Sequence, residues 1–243
     1  MILLDSVGPG TFLDAVRFIG ANGGLLWHKA VEQLALSGAS MGVATAIAVP
    51  LGVLLGHLHR GSLLAIGVSN VGRALPSLAV IAIGISAFGI GFTNVLVALV
   101  VLAVPPILTN AYVAVDQVDP DAVEAARGMG MRERDVLLRV ELPLALPLLF
   151  AGIRTATVYV VSTATIAAVA GGGGLGDIIV DQASYRFPGV LGAAICVAAL
   201  ALLADLAVGG LERLLRPRGL RRADGRAAAL APEPLGGQAA PGQ

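Results

Sequence analysis

One lysine, one cysteine and ten aromatic residues are all that this chain of 243 residues has of three side-chain kinds on which much protein chemistry depends. The only lysine, Lys29, stands in WHKAV, so no Gly-Lys-Ser/Thr phosphate-binding loop can form and ATP cannot be held that way. The lone Cys196 sits in an apolar run and permits neither an intrachain disulfide nor a cysteine-based metal site. The aromatics are spread along the chain with no local group of three, so no aromatic cage for a cation can be read from a single segment. Charge is scarce as well: 13% of residues are Asp, Glu, Lys or Arg, against roughly 25% in an ordinary soluble domain. Sixteen basic and sixteen acidic residues cancel, and no basic patch interleaved with aromatics stands out, which excludes the usual electrostatic footprint for nucleic acid. No nucleophile, histidine and carboxylate cluster is evident, so no catalytic site is expected. His28, His57 and His59 flank apolar runs and read as polar residues at a membrane surface rather than metal ligands. The first basic residue is Arg17 and no small-residue cleavage pattern follows a short apolar core, so no signal peptide is expected.

What is present is apolar. Hydrophobic residues make up 56% of the chain and the mean hydropathy is +0.86, which points to an all-α membrane protein. A helix needs about 20 apolar residues to span the hydrocarbon, where backbone groups must pair internally. Scanning for such runs gives about five spans, near residues 34–58, 75–90, 95–115, 144–170 and 190–211. The second is the shortest, and it is allowed to begin near Leu63 with Pro76 producing a kink. Ahead of the first span, Asp14, Arg17, Lys29 and Glu32 suggest an interfacial helix and a short loop, with Trp27 at headgroup level. With the N-terminus outside and the C-terminus cytoplasmic, three basic residues fall on outer segments and thirteen on inner ones, as the positive-inside rule requires. The division expected is an N-terminal extracytoplasmic or interfacial segment over 1–29, a transmembrane domain over 30–212 and a basic tail over 213–243. That tail has too few large apolar residues to offset the entropy of ordering, and its arginines suit anionic lipid headgroups.

Between the third and fourth apolar runs the chain reads DPDAVEAARGMGMRERDVLLRVELP, residues 119–143. Asp119 is a good N-cap, Pro120 suits the first helical position, and Asp121 lies at the positive end of the helix dipole. A short helix starting there carries Val123 and Ala126 along one side, with Met129 a further candidate. Gly128 or Gly130 then takes the positive φ that ends it. A second helix begins near Arg132 and leads through Val136, Leu137 and Val140 to Pro143. A connector of this length with so many ordering signals is expected to bind something.

Glu124-Ala125-Ala126, then Gly130, Val140 and Leu142-Pro143 at fixed spacings, resembles the EAA signature of permease subunits in binding-protein-dependent (type I) ABC importers, with Val140 where isoleucine is common. The resemblance implies a cytoplasmic coupling helix formed by Asp119, Pro120, Glu124, Ala125, Ala126, Gly130, Leu142 and Pro143, docking on a separate ATP-hydrolysing subunit. It further implies a second permease subunit, either a homodimer or a homologous heterodimer, an extracytoplasmic substrate-binding protein, and a bacterial inner membrane location. ATP and magnesium would belong to the partner ATPase, with no cofactor in this chain. The segments at 73–80, 105–131, 163–179 and 202–219 look like the osmoprotectant branch, whose substrates include glycine betaine, choline, carnitine and proline. A methionine or other amino-acid importer is the alternative within the class, and a stand-alone secondary transporter or channel the alternative outside it. The latter lacks an evident internal repeat and a buried row of acidic residues.

Gly171-x-Gly173-x-x-Gly176 satisfies a dinucleotide-binding pattern formally but lacks the preceding strand and βαβ unit that give the pattern meaning. The reading preferred is a flexible outer loop in which Gly173, Gly174, Gly176, Asp177 and Asp181 face water or the docking binding protein. Arg154 and Asp205 are the clearest ionisable residues inside the spans, and are expected to pair structurally with each other or with backbone.

Overall fold

The computed structural model describes residues 9–215, so the opening eight residues and nearly all of the expected basic tail lie outside the described residues. Ten α-helices make up the described part: α1 Pro9–Ala21, α2 Gly23–His57, α3 Ser62–Ala74, α4 Ser77–Phe88, α5 Phe92–Asp116, α6 Pro120–Gly128, α7 Glu133–Val136, α8 Leu142–Ile166, α9 Gly176–Val180 and α10 Gln182–Leu215. A π-helical turn, Leu137–Glu141, and a 3-10 turn, Ala167–Ala170, join α7 to α8 and extend α8. Among the described residues there is no strand.

Four helical runs are long and apolar enough to cross a bilayer: Gly23–His57, Phe92–Asp116, Glu133–Ala170 and Gln182–Leu215. The fifth crossing follows from direction. Gly52 faces Leu108 and Ala111, and Gly56 faces Tyr112 and Val115, so residue numbers rise together on α2 and α5 and the two helices are parallel. The chain between them must return across the bundle, and α3 and α4 carry it. Neither is long enough alone, since the 12 residues of α4 rise only about 18 Å. Pro76 does more than kink this span: it sits in extended backbone, φ −66° and ψ 123°, and separates two distinct helices.

Lipid offers helices no hydrophobic reason to associate, so close backbone approach must hold them. On α2, Ser40, Ala44, Ala48, Gly52 and Gly56 recur every fourth residue and all are buried. A Cβ on Gly52 would come 2.6 Å from Ala111 Cβ, and one on Gly56 would lie 2.7 Å from the Tyr112 carbonyl oxygen. This small-residue row lets α2 lie against α5 with Val95, Leu99, Ala103 and Ile107 in the shared core. Gly152 does the same for α8, where a Cβ would overlap Asn110.

Two helix boundaries differ from the sequence expectation. The helix that carries the first span begins at Gly23, ahead of Leu34, and α2 runs through Lys29, Glu32 and Gln33 where a loop was expected. Those polar residues do not end the helix because the 171–177 segment partners them. Likewise the helix of the fourth span does not start at Pro143: helical structure is continuous from Glu133 to Ala170. Pro143 cannot donate to the carbonyl four residues back and its ring crowds that turn, and the wider π-turn immediately before it provides the room. At the other end of the chain, Arg186 (φ 54°, ψ 178°) interrupts α10 just ahead of Pro188, so the last crossing follows that break.

Candidate functional site

At one end of the bundle the EAA-like stretch forms the element its local chemistry dictates. Asp119 caps α6, its Oδ1 accepting the Asp121 N–H at 3.0 Å, and Pro120 is the first helical residue. Of the two glycines able to end the helix, Gly130 does so, with φ 83°. A Cβ there would meet nothing within 4 Å, so backbone conformation rather than space demands glycine. The turn is closed by the Met131 N–H donating to the Ala126 carbonyl at 3.2 Å.

Val123, Ala126 and Val136 are buried together, with Val118, Met131 and Val140 packed on them. That contact fastens α6 to α7. Ala126 therefore points toward its own chain, whereas Glu124 and Ala125 are exposed, as is Met129 at 77%. Leu142 packs against the cluster of Ala111, Ala114, Val115 and Ala145, which joins the start of α8 to α5. Arg127 spans the turn with a two-pronged hydrogen bond to Glu133, at 3.0 and 2.9 Å. That bond and the Glu133 charge hold the Arg127 guanidinium above its ordinary pKa.

Sequence reasoning missed the groups that tie this element to the bundle. His57 Nδ1, at the end of α2, lies 2.6 Å from Glu141 Oε2, and His57 Nε2 lies 3.7 Å from Glu133 Oε2. His59 makes a more exposed contact with Asp116 at 2.9 Å. His57 is thus not simply a surface group, whereas His28 and His59 are exposed. No spacing in the sequence signals a pairing between residues 84 positions apart.

At the opposite end the glycine-rich segment, expected as a flexible outer loop, is instead fastened to α2 by hydrogen bonds. Gly171, Gly173 and Gly174 have φ of 75°, 72° and 86° and fold the chain back onto α2. Glu32 accepts from the Gly174 N–H at 3.1 Å and from Lys29 at 2.9 Å, while Lys29 also holds Asp177 at 2.8 Å. Gln33, 1% exposed, accepts from the Leu175 N–H at 3.0 Å and donates to the Val161 carbonyl at 2.9 Å and Thr165 Oγ1 at 3.1 Å. Gly176 is buried where a Cβ would overlap the Thr165 carbonyl. Of the acidic residues expected to face outward, Asp181 is exposed, whereas Asp177 is committed to Lys29. The signal that could have found this clamp is Lys29-x-x-Glu32-Gln33 inside a helix long enough to span.

Between the two ends, Arg154 on α8 and Asp205 on α10 form a bidentate pair, with Nε to Oδ1 at 2.9 Å and Nη2 to Oδ2 at 2.6 Å. The pair joins the two helices and leaves their side chains 40% and 22% exposed. Among the described residues no group of His, Cys, Asp and Glu is arranged to hold a metal ion.

These features meet known proteins at several points. A family described as binding-protein-dependent transport system inner membrane component matches residues 48–217. The chain is 39% identical over 208 residues to the choline transport system permease protein of Bacillus subtilis (strain 168), covering 85% of this chain and 96% of that protein. It is 38% identical over 207 residues to that organism's glycine betaine/carnitine/choline transport system permease protein, with coverage of 85% and 95%. The carnitine transport permease protein of Listeria monocytogenes is 38% identical over 213 residues, with coverage of 87% and 98%. A chain in an inward-facing structure of the MetNI methionine ABC transporter superposes with a TM-score of 0.70 at 24% identity, over 79% of this chain and 97% of that one. At that identity the likeness bears on the fold alone. The chain therefore belongs to the family of binding-protein-dependent transport system inner membrane components, and is a multi-pass membrane subunit of such a transport system.

Proposed function

We propose that this chain is the permease subunit of an ATP-driven importer of compatible solutes such as glycine betaine, choline, carnitine or proline. The observation that carries the reading is the 39% identity to a choline permease along 96% of that protein's length. In this reading α6 presents Glu124 and Ala125 to a separate ATP-binding subunit, which holds the ATP and magnesium. A second permease subunit, identical or homologous, completes the membrane unit, and an extracytoplasmic binding protein delivers the solute to the glycine-loop end. The excess of basic residues at and beyond the α6 end supports a cytoplasmic placement of that end and of the C-terminus, with the N-terminus outside. Methionine transport is less favoured, because the methionine transporter resembles this chain at only 24% identity.

The test is uptake of radiolabelled glycine betaine, choline, carnitine and proline by the reconstituted complex, with methionine as competitor. ATP-dependent uptake of at least one of the four, unaffected by methionine, is expected. Uptake of methionine and none of the four would overturn the osmoprotectant assignment. Uptake by this chain alone under an ion gradient would overturn the permease reading itself.

A further inference from the structure

Midway along α5 and α8, against α3, lies a cavity of about 440 Å³, within the ~300–1,000 Å³ of ordinary small-molecule sites. Its wall carries Ser69, Thr109, Asn110, Thr155 and Tyr159. Five polar side chains gathered at mid-depth are costly if they face lipid, which cannot pair with them. Thr155 and Asn110 donate to the Ala151 and Pro106 carbonyls, so part of this polarity is met within the helices, and the acceptor capacity left over suits a hydrated space or a polar occupant.

The backbone adds to this polarity. Pro105 and Pro106 both border the cavity and interrupt α5 from within. Lacking N–H groups, they leave the Val101 and Leu102 carbonyls without their helical donors. Leu102 itself lines the cavity. Asn110 is steadied there by donating through Nδ2 to the Pro106 carbonyl at 2.8 Å. The wall thus offers the polar main chain at Leu102 and a single aromatic residue, a combination suited to a quaternary ammonium, which has no N–H to donate. Next to it, a second hollow is lined by Arg154, Asp205, Thr155 and Tyr159. Arg154 spends Nε and Nη2 on Asp205, and its Nη1 carries further donors suited to a carboxylate.

We propose that this cavity is a solute-binding site inside the membrane, which takes a methylated ammonium against Tyr159 and the main chain at Leu102 and a carboxylate, where the solute has one, toward Arg154. The proposal rests on the osmoprotectant reading and names residues for it. One aromatic residue in place of a cage makes the site weak, as a transit site must be for the solute to leave.

The test uses the complete complex in proteoliposomes, reading glycine betaine uptake and binding-protein-stimulated ATP hydrolysis together. Tyr159→Ala should lower solute moved per ATP by about tenfold while stimulated hydrolysis persists, and Tyr159→Phe, which keeps the ring, should restore most of the ratio. Leu203→Ala, on an exposed stretch of α10, should change nothing. A wild-type ratio in Tyr159→Ala, or equal damage in Tyr159→Phe, would overturn the site. A second measurement does not depend on Tyr159: in a Thr155→Cys, Cys196→Ser complex lacking the binding protein, millimolar glycine betaine should slow thiol labelling and a neutral tert-butyl analogue should not. Equal protection by both, or by neither, would also overturn it. Transport of proline alone would overturn the methylated-ammonium site and leave the osmoprotectant reading standing, whereas a wild-type complex that transports none of the four solutes defeats that reading first, a result distinct from transport that is indifferent to Tyr159.

Discussion

His57 and Glu141 join the end of α2 to the π-turn that opens α8, with Nδ1 and Oε2 2.6 Å apart and Glu141 only 2% exposed. The α6–α7 element is therefore tied to α2 as well as to α8. Removing one partner leaves the other a buried hydrogen-bonding group without its partner, at a cost of about 1 to 3 kcal/mol. His57→Ala should accordingly lower the melting temperature of the purified protein clearly. His59→Ala, whose contact with Asp116 is far more exposed, should lose no more than about 1 kcal/mol. Equal melting temperatures in the two variants would show that His57–Glu141 is not a structural tie.

Gly130→Val should impair coupling because φ 83° strains a β-branched residue, at about 1 to 3 kcal/mol. Open space around the position means that no clash contributes. Membrane insertion should survive, while binding-protein-stimulated ATP hydrolysis falls. Arg134→Gln, an exposed change nearby, is the suitable control, since Glu133 bridges Arg127 and His57. Stimulated hydrolysis unaffected in Gly130→Val would make the stretch a mere connector.

Glu124→Lys reverses an exposed charge on α6 without touching the buried Val123 and Ala126. Folding should be unchanged and association with the ATPase subunit weakened, by about 2 to 5 kcal/mol if the contact is desolvated. Co-purification of the ATPase with this variant at the wild-type ratio would remove Glu124 from the docking face.

Gln33→Leu should loosen the glycine segment, since the Leu175 N–H and the Val161 carbonyl each lose a hydrogen bond. The expected loss is about 1 to 3 kcal/mol for the buried Leu175 N–H left unsatisfied, since the Val161 carbonyl, inside α8, keeps its helical donor. Hydrogen exchange should accelerate over residues 171–177 and hardly at all at α6. Unchanged protection at Leu175 would mean that Gln33 is not what holds the segment.

Sidedness can be read with single cysteines in a Cys196→Ser background. A cysteine at Asp181, which is exposed, should react with a membrane-impermeant thiol reagent in intact cells, and one at Gly130 should not. The converse pattern would invert the topology. Asp177 is a poorer probe because replacing it breaks the contact with Lys29.

The membrane class, the apolar spans and the α6–α7 element were legible in the sequence because each depends on local properties. Run length decides spanning, Asp119-Pro120 starts a helix wherever it stands, and Gly130 ends one without help from a distant residue. Tertiary structure decided what each element holds. It continued α2 back to Gly23, because Asp177 and the Gly174 N–H satisfy Lys29 and Glu32. It turned a glycine-rich stretch that looks flexible into a buried clamp, because Gln33 satisfies backbone groups brought together from two separate segments. It also assembled a polar cavity from α3, α5 and α8, where no single stretch of sequence holds enough polar residues to suggest one. The physical reason is the same in all three cases: in a low-dielectric interior a polar group takes whichever partner the packing brings within reach, and packing in this bundle brings together residues more than a hundred positions apart.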